Sequence, residues 1–176
     1  MDNLTRDLIL AQDGDLGAFS RVVRDAQPEI QRFCAWFSGN TPDIDDVVQE
    51  TLLRMYKGLH SFRGDSRGIS WVLTIARRTC VDHARRYNRQ QLLVRALEHE
   101  TLTTHNHGDL STLYLTSAID SLPKLLREAF VLVKIFGCSY SETAAVLHCP
   151  VGTVQSRVAR ARILLATTLS SAERIA

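Results

Sequence analysis

The densest cluster of chemically capable side chains in this 176-residue chain is Asp43, Asp45, Asp46 and Glu50. Carboxylates this close can hold a divalent cation or divide the work of general acid and general base. Their setting argues against both. They lie at the start of a helix with no basic, phosphate-gripping loop beside them, and the chain has no P-loop or other nucleotide-binding glycine motif. Acids at a helix N-terminus are favoured by the macrodipole, and Asp46, Gln49, Glu50 and Leu53, spaced by three and four, can share one exposed patch. Such a patch suits a partner protein better than a reaction. His105 and His107, in a polar stretch without Cys or acidic ligands nearby, read as a solvated loop rather than a metal site. Cys34, Cys80, Cys138 and Cys149 form no Cys-x-x-Cys pair and sit in apolar helical contexts, as reduced packing residues do. The sequence therefore predicts no catalytic residue, no metal and no cofactor.

Residues 139–162 carry a different capability, since they have the grammar of a helix-turn-helix. Ala144 and Ala145 are small enough for two helices to cross closely, and 148–151 supplies a short turn with Pro150 at the first helical position. Val154, Val158, Ala161 and Leu165, spaced four, three and four, form the buried stripe of the second helix. The outward face then presents Thr153, Gln155, Ser156, Arg157, Ala159, Arg160 and Arg162, a mixture suited to base edges and phosphates in the major groove. Gln155, Ser156 and Arg160 are assigned to base readout and Ala159 to close approach. Phosphates fall to Thr153 and to whichever of Arg157 and Arg162 is exposed, the other being structural.

These residues need helices to position them. Few prolines with plentiful Leu, Ala and Arg favour helix, and 45% hydrophobic with 23% charged residues is ordinary for a globular protein. Leu4, Leu8, Leu10 and Ala11 mark a short helix that Asp13-Gly14-Asp15 breaks. Leu16, Phe19, Val22, Val23 and Ala26 start a second period, resumed by Ile30, Phe33 and Phe37 after Pro28, which kinks that helix or begins another. Past a turn at 38–42, Ile44, Val47, Val48, Leu52 and Met55 mark a helix running to about Leu59. Residues 60–68 read as a loop. Trp71, Val72, Ile75, Ala76 and Cys80 then open a long helix with a basic opposite face, Trp71 belonging to its core side. The period dissolves over 90–111, which reads as a flexible linker, and four more helices follow at 113–119, 125–136, 140–147 and 151–169. The expectation is an all-α protein of two small helical domains.

The net charge of +2 conceals segregation: residues 1–61 carry 6 basic and 10 acidic side chains, 62–95 carry 8 and 2, 96–122 carry none and 4, and 123–176 carry 7 and 3. Each basic block coincides with a candidate DNA-reading helix, so the pattern predicts two DNA contacts on one chain. No apolar run approaches the roughly 20 residues that span a bilayer, and the acidic start Met1 to Asp7 lacks the basic head of a signal peptide. The expected location is the cytoplasm, with no membrane insertion.

Asp46-x-x-Gln49-Glu50, Phe62-Arg63-Gly64-Asp65, the run from Trp71 to Arg78 and Asp82-His83-Ala84-Arg85-Arg86 together resemble region 2 of the extracytoplasmic-function (ECF, group 4) RNA polymerase sigma factors of the sigma-70 family. The run from Leu122 to Phe130 and Gly152-Thr153-Val154-Gln155-Ser156-Arg157 resemble region 4. The resemblance implies a region 2 domain at 1–89, a linker at 90–111 and a region 4 domain at 112–176. It implies that Asp46, Gln49, Glu50 and Leu53 contact the clamp helices of the polymerase largest subunit, with the flap as a further contact on core polymerase. It also implies that the loop with Phe62 and Arg63 holds an unstacked minus-ten base, that Arg77, Arg78, Arg85 and Arg86 (with His83 beside them) engage the opened DNA, and that the last helix reads the minus-thirty-five duplex. Control by an anti-sigma factor follows from the same resemblance. Arg78 stands where Asn often follows Ile-Ala-Arg, and Ser66-Arg67-Gly68-Ile69 replaces a more apolar entry into the Trp helix, so promoter preference is not carried over. The competing reading is a helix-turn-helix transcriptional regulator whose N-terminal half senses a signal or dimerises. The acidic patch followed by a second basic helix favours the sigma factor.

Overall fold

The computed structural model describes residues 2–38, 44–94 and 110–173. All secondary structure among them is helical, in two compact units, Met1–Thr103 and Thr104–Ala176.

The first unit holds α1 (Asn3–Gln12), α2 (Leu16–Ser38), α3 (Ile44–Gly58), a 3-10 turn (Leu59–Ser61) and α4 (Gly68–Val94). Asp2 caps α1, its carboxylate accepting from Thr5 N–H at 2.9 Å, and Asp15 starts α2 by accepting from Ala18 N–H at 3.0 Å. Gly14, at φ +93°, makes the reversal between them. Leu8, Val22, Ile30, Phe33, Val47, Met55, Val72 and Leu73 are fully or almost fully buried where these helices meet. At about 1.5–3 kcal/mol for each large side chain removed from water, this packing outweighs any surface ion pair, worth ~1 kcal/mol or less. Pro28 neither ends α2 nor starts a new helix: it sits exposed inside one continuous element, flanked by buried Ala26 and Ile30. The loss of one main-chain hydrogen bond is outweighed by the burial on either side. Leu16, placed by its spacing on the buried face, is instead exposed, and Ala18 takes the core position.

The second unit contains α5 (Leu110–Asp120), α6 (Lys124–Lys134), α7 (Tyr140–Leu147) and α8 (Val151–Glu173). Ala129, Leu132, Val146, Val154, Val158 and Ala161 form its buried centre. The expected linker is trimmed at both ends, since α4 continues through 90–94 and α5 begins at Leu110. Its middle, 95–109 with His105 and His107, lies outside the described residues, as do residues 39–43, which hold Asp43 and all of the turn expected at 38–42 except Ser38, the last residue of α2.

Among the described residues no helix is long and apolar enough to cross a membrane, and no group of His, Cys, Asp and Glu is arranged to hold a metal. Cys34, Cys80 and Cys138 are buried free thiols and Cys149 is half-buried. The Cys34 and Cys80 sulfurs stand 3.5 Å apart between α2 and α4; their hydrogen bond and burial push the Cys34 thiol pKa up.

Candidate polymerase and DNA interfaces

The first turn of α3 carries Asp45 and Asp46, both exposed, as its dipole favours. One turn on, Gln49 and Leu53 are also exposed, Leu53 to 55%. Glu50 differs from its neighbours. Arg54, one turn further, donates from Nε to Glu50 Oε1 at 2.8 Å and from Nη1 to Asp82 Oδ2 of α4 at 2.7 Å. The hydrogen bond from Arg54 holds the Glu50 carboxyl below the usual carboxylate range despite partial burial, helped by the charges of Arg54, Arg86 and His83. Glu50 is thus a half-buried, paired acid, not the freely exposed one its spacing implied. Tyr56, missed in the sequence, adds 59% exposed aromatic surface three residues beyond Leu53, and its ring meets Phe19 of α2 edge-on at 5.1 Å. Spacing alone would have found it, but a tyrosine beside apolar neighbours reads as core.

Between the 3-10 turn and α4, Arg63, Gly64, Asp65, Ser66 and Arg67 are exposed. Phe62 is not. It is only 4% exposed, with its ring 5.5 Å from that of Trp71, so its ring is not on the exposed surface of the loop. Burial of the ring anchors the start of the loop; Trp71 covers it and is itself half-buried.

On α4 the four assigned arginines divide. Arg78, Arg85 and Arg86 are exposed, whereas Arg77 is half-buried with its guanidinium carbon 5.6 Å from the centroid of the Phe37 ring. Arg77 therefore lends packing to α2 as well as charge to the surface. Arg78, Asp82, Arg85 and Arg89 follow at helical spacings of four, three and four, so a carboxylate interrupts the basic stripe. Arg54 compensates that negative charge from α3. The Glu50–Arg54 pair has the i,i+4 spacing that a sequence reading can find, but the link to Asp82 could not be read there, because Asp82 lies on another helix.

In the second unit the helix-turn-helix forms as the sequence implied. Ser139 and Glu142 make a reciprocal capping box at the start of α7. At its end His148 adopts a left-handed conformation, φ 51°, and the N–H groups of Cys149 and His148 close back onto Ala144 and Ala145 carbonyls at 3.1 and 3.3 Å. Ala144 is buried where α7 approaches its neighbours, but Ala145 is exposed and takes no part in a helix crossing. Val154, Val158, Ala161 and Leu165 are all buried. Gln155, Ser156, Ala159, Arg160 and Arg162 are exposed, and Thr153 is half-buried. Arg157 is half-buried and reaches back to the Cys149 sulfur at 3.9 Å, whereas Arg162 is exposed.

Family models described as Sigma-70 region 2 and Sigma-70, region 4 match residues 22–90 and 112–165 respectively. The ECF RNA polymerase sigma factor SigC of Mycobacterium tuberculosis is 36% identical over 155 residues, covering 86% of this chain and 83% of its own. The ECF RNA polymerase sigma-E factor of Escherichia coli is 35% identical over 165 residues, covering 86% of each chain. Among solved structures, the sigma factor RpoE in complex with the anti-sigma factor NepR, from Bartonella quintana, is similar at a TM-score of 0.73 and 28% identity, covering 86% of this chain and 96% of that one. Both sigma-70 regions, in order along the chain, define a transcription initiation factor rather than a sensing regulator. The chain belongs to the ECF RNA polymerase sigma factors: it binds core RNA polymerase and directs promoter-specific initiation, without an enzymatic activity of its own.

Proposed function

We propose a division of labour among the three surfaces. Asp46, Gln49, Leu53 and Tyr56, with Glu50 at their edge, dock on the clamp helices of the polymerase largest subunit, and the second unit adds a contact to the flap. The loop 63–67 receives an unstacked minus-ten base, while Arg78, Arg85 and Arg86 hold the opened strand by charge. Gln155, Ser156 and Arg160 read base edges of the minus-thirty-five duplex, Ala159 permits close approach, and Thr153 and Arg162 take phosphates. The two domains are 1–89 and 112–176, joined by the segment 90–111, and each takes one promoter element. The working location is the cytoplasm. An anti-sigma factor, the class of partner bound by the similar RpoE, is the inferred means of control.

The observation that carries this reading is the division of exposed side chains among the helices: an acidic and apolar patch on α3, and arginine faces on α4 and on α8. Run-off transcription with purified core polymerase on a pool of genomic fragments tests it. New, discrete transcripts that require the protein are expected. Replacing Asp46 and Leu53 with Ala should weaken its capture by core polymerase while sparing duplex binding by the second unit; unchanged capture would remove the α3 assignment.

A further inference from the structure

We propose that α1 is the positioning element of the loop that receives the minus-ten base, gripping both its ends and its middle so that it is shaped before DNA arrives. The inference rests on the reading of that loop given above. Thr5, Ile9 and Gln12, spaced four and three, form one stripe of α1. At the near end, the Gln12 side-chain amide donates both its hydrogens, to Leu59 O and to Phe62 O, each at 2.6 Å. At the far end, the Thr5 hydroxyl accepts from Gly68 N–H, in the first turn of α4, at 2.7 Å, and donates to Asp2 Oδ2 at 2.7 Å. Asp2 is thus both the cap of α1 and the terminus of a relay that caps α4. Burial of Asp2 raises its pKa, but the hydrogen bonds from Thr5 and the charge of Arg67 hold it below the usual value, so it stays an ionised acceptor.

In the middle, Gly64 takes φ +73°, and the Ile9 methyl lies 3.6 Å from where a Cβ on Gly64 would stand. Gly68 is fitted more tightly. A Cβ there would meet Leu8 Cδ1 and Thr5 N at 2.9 Å and the Leu4 carbonyl carbon at 3.1 Å. Only glycine lets the α1 backbone come this close. These anchors leave Arg63, Asp65, Ser66 and Arg67 exposed while fixing the chain on either side of them. A loop already ordered loses less freedom on capturing a base, so the grip should raise affinity and selectivity without α1 touching DNA. The region 2 family model begins at residue 22, beyond α1, so nothing in it assigns this role.

The test uses holoenzyme assembled from core polymerase and a fluorescent non-template oligonucleotide carrying the minus-ten element of a promoter selected by run-off. Parallel oligonucleotides carry one changed base each. Gln12→Met and Thr5→Val should each lose about five- to tenfold in affinity for the cognate strand and in discrimination against changed bases, the scale of one or two hydrogen bonds. Thr5→Ser, which keeps the hydroxyl, should behave as the parent protein, and affinity for core polymerase should not change in any of them. Parental discrimination by Gln12→Met and Thr5→Val overturns the inference, provided that replacing Arg63 and Asp65 with Ala abolishes discrimination. Parental discrimination by that loop variant would overturn the loop reading itself, and with it this one. Failure of Thr5→Ser alongside Thr5→Val would make the effect one of packing and would also overturn the positioning role.

Discussion

The two arginine-bearing helices, α4 and α8, are built on opposite plans. α8 is self-sufficient: four buried residues on one stripe fix its rotation, and the opposite stripe is delivered outward by helical geometry alone. α4 is assembled from its neighbours. Asp82 would spoil its basic stripe without Arg54 of α3, Arg77 leans on the Phe37 ring of α2, and the loop that leads into it is held by α1. The contrast follows the proposed tasks. A duplex groove has a near-constant shape, so one rigid helix suffices to read it, whereas holding an unstacked base calls for a surface converging from several elements.

The largest effect should come from the core of the self-sufficient unit. Leu132→Ala removes a fully buried side chain of α6 and should cost the second unit about 2–5 kcal/mol. Both tryptophans, Trp36 and Trp71, lie in the first unit. Denaturation of the variant should therefore show an early loss of helical circular dichroism with no change in tryptophan fluorescence. Coincident loss of both signals would mean that the two units depend on each other and would break the comparison.

On α8 itself, Arg160→Ala should lower discrimination between promoter and non-promoter duplex by about 1–3 kcal/mol, and Arg162→Ala should weaken binding to all duplexes and flatten the salt dependence by about one charge. Arg157→Ala should instead lower the melting temperature of the second unit with little change in sequence preference. An Arg157 effect on preference alone would return it to the DNA face.

On α4, Arg54→Ala should cost the first unit about 1 kcal/mol, because its ion pairs are partly exposed, and should weaken binding to opened promoter DNA by leaving Asp82 uncompensated. Adding Asp82→Asn should recover the DNA affinity but not the stability. If the double variant binds no better than Arg54→Ala alone, Arg54 acts through packing rather than charge.

The smallest effect should be a pH dependence in the first unit. Asp7, hydrogen-bonded to Arg21, and Glu50, hydrogen-bonded to Arg54, both have carboxyl pKa values below their ordinary 3.8 and 4.5. A lowered folded-state pKa means the stabilisation is complete above those ordinary values and drains away as the pH falls through the lower folded ones. Tryptophan-monitored stability should therefore be flat from neutral pH down to mildly acid solution and fall below it. Asp7→Asn should blunt the fall.

The same contrast marks what was legible in the chain. The buried stripe of α8 was readable residue by residue because Val154, Val158, Ala161 and Leu165 repeat with the period of the helix that buries them. The α3 patch was readable for the same reason, apart from Tyr56 and the pairing of Glu50. The burial of Phe62 against Trp71 was not legible, because an aromatic residue at a loop edge looks the same in sequence whether it is exposed or buried. Ala145 was misplaced because smallness permits a helix crossing without requiring one.

By itself, the sequence determined the all-helical class, the two basic blocks of the chain and most of the buried stripe of α3 and α8, because helical spacing and local charge are properties of one stretch of chain. Only the tertiary structure decided that Arg54 joins Glu50 to Asp82, that Arg157 rather than Arg162 turns inward, and that Gln12 and Thr5 hold a loop about fifty to sixty residues away. The reason is physical: helical periodicity is a local property of the backbone, whereas a polar side chain that crosses between elements takes its partner from how those elements pack.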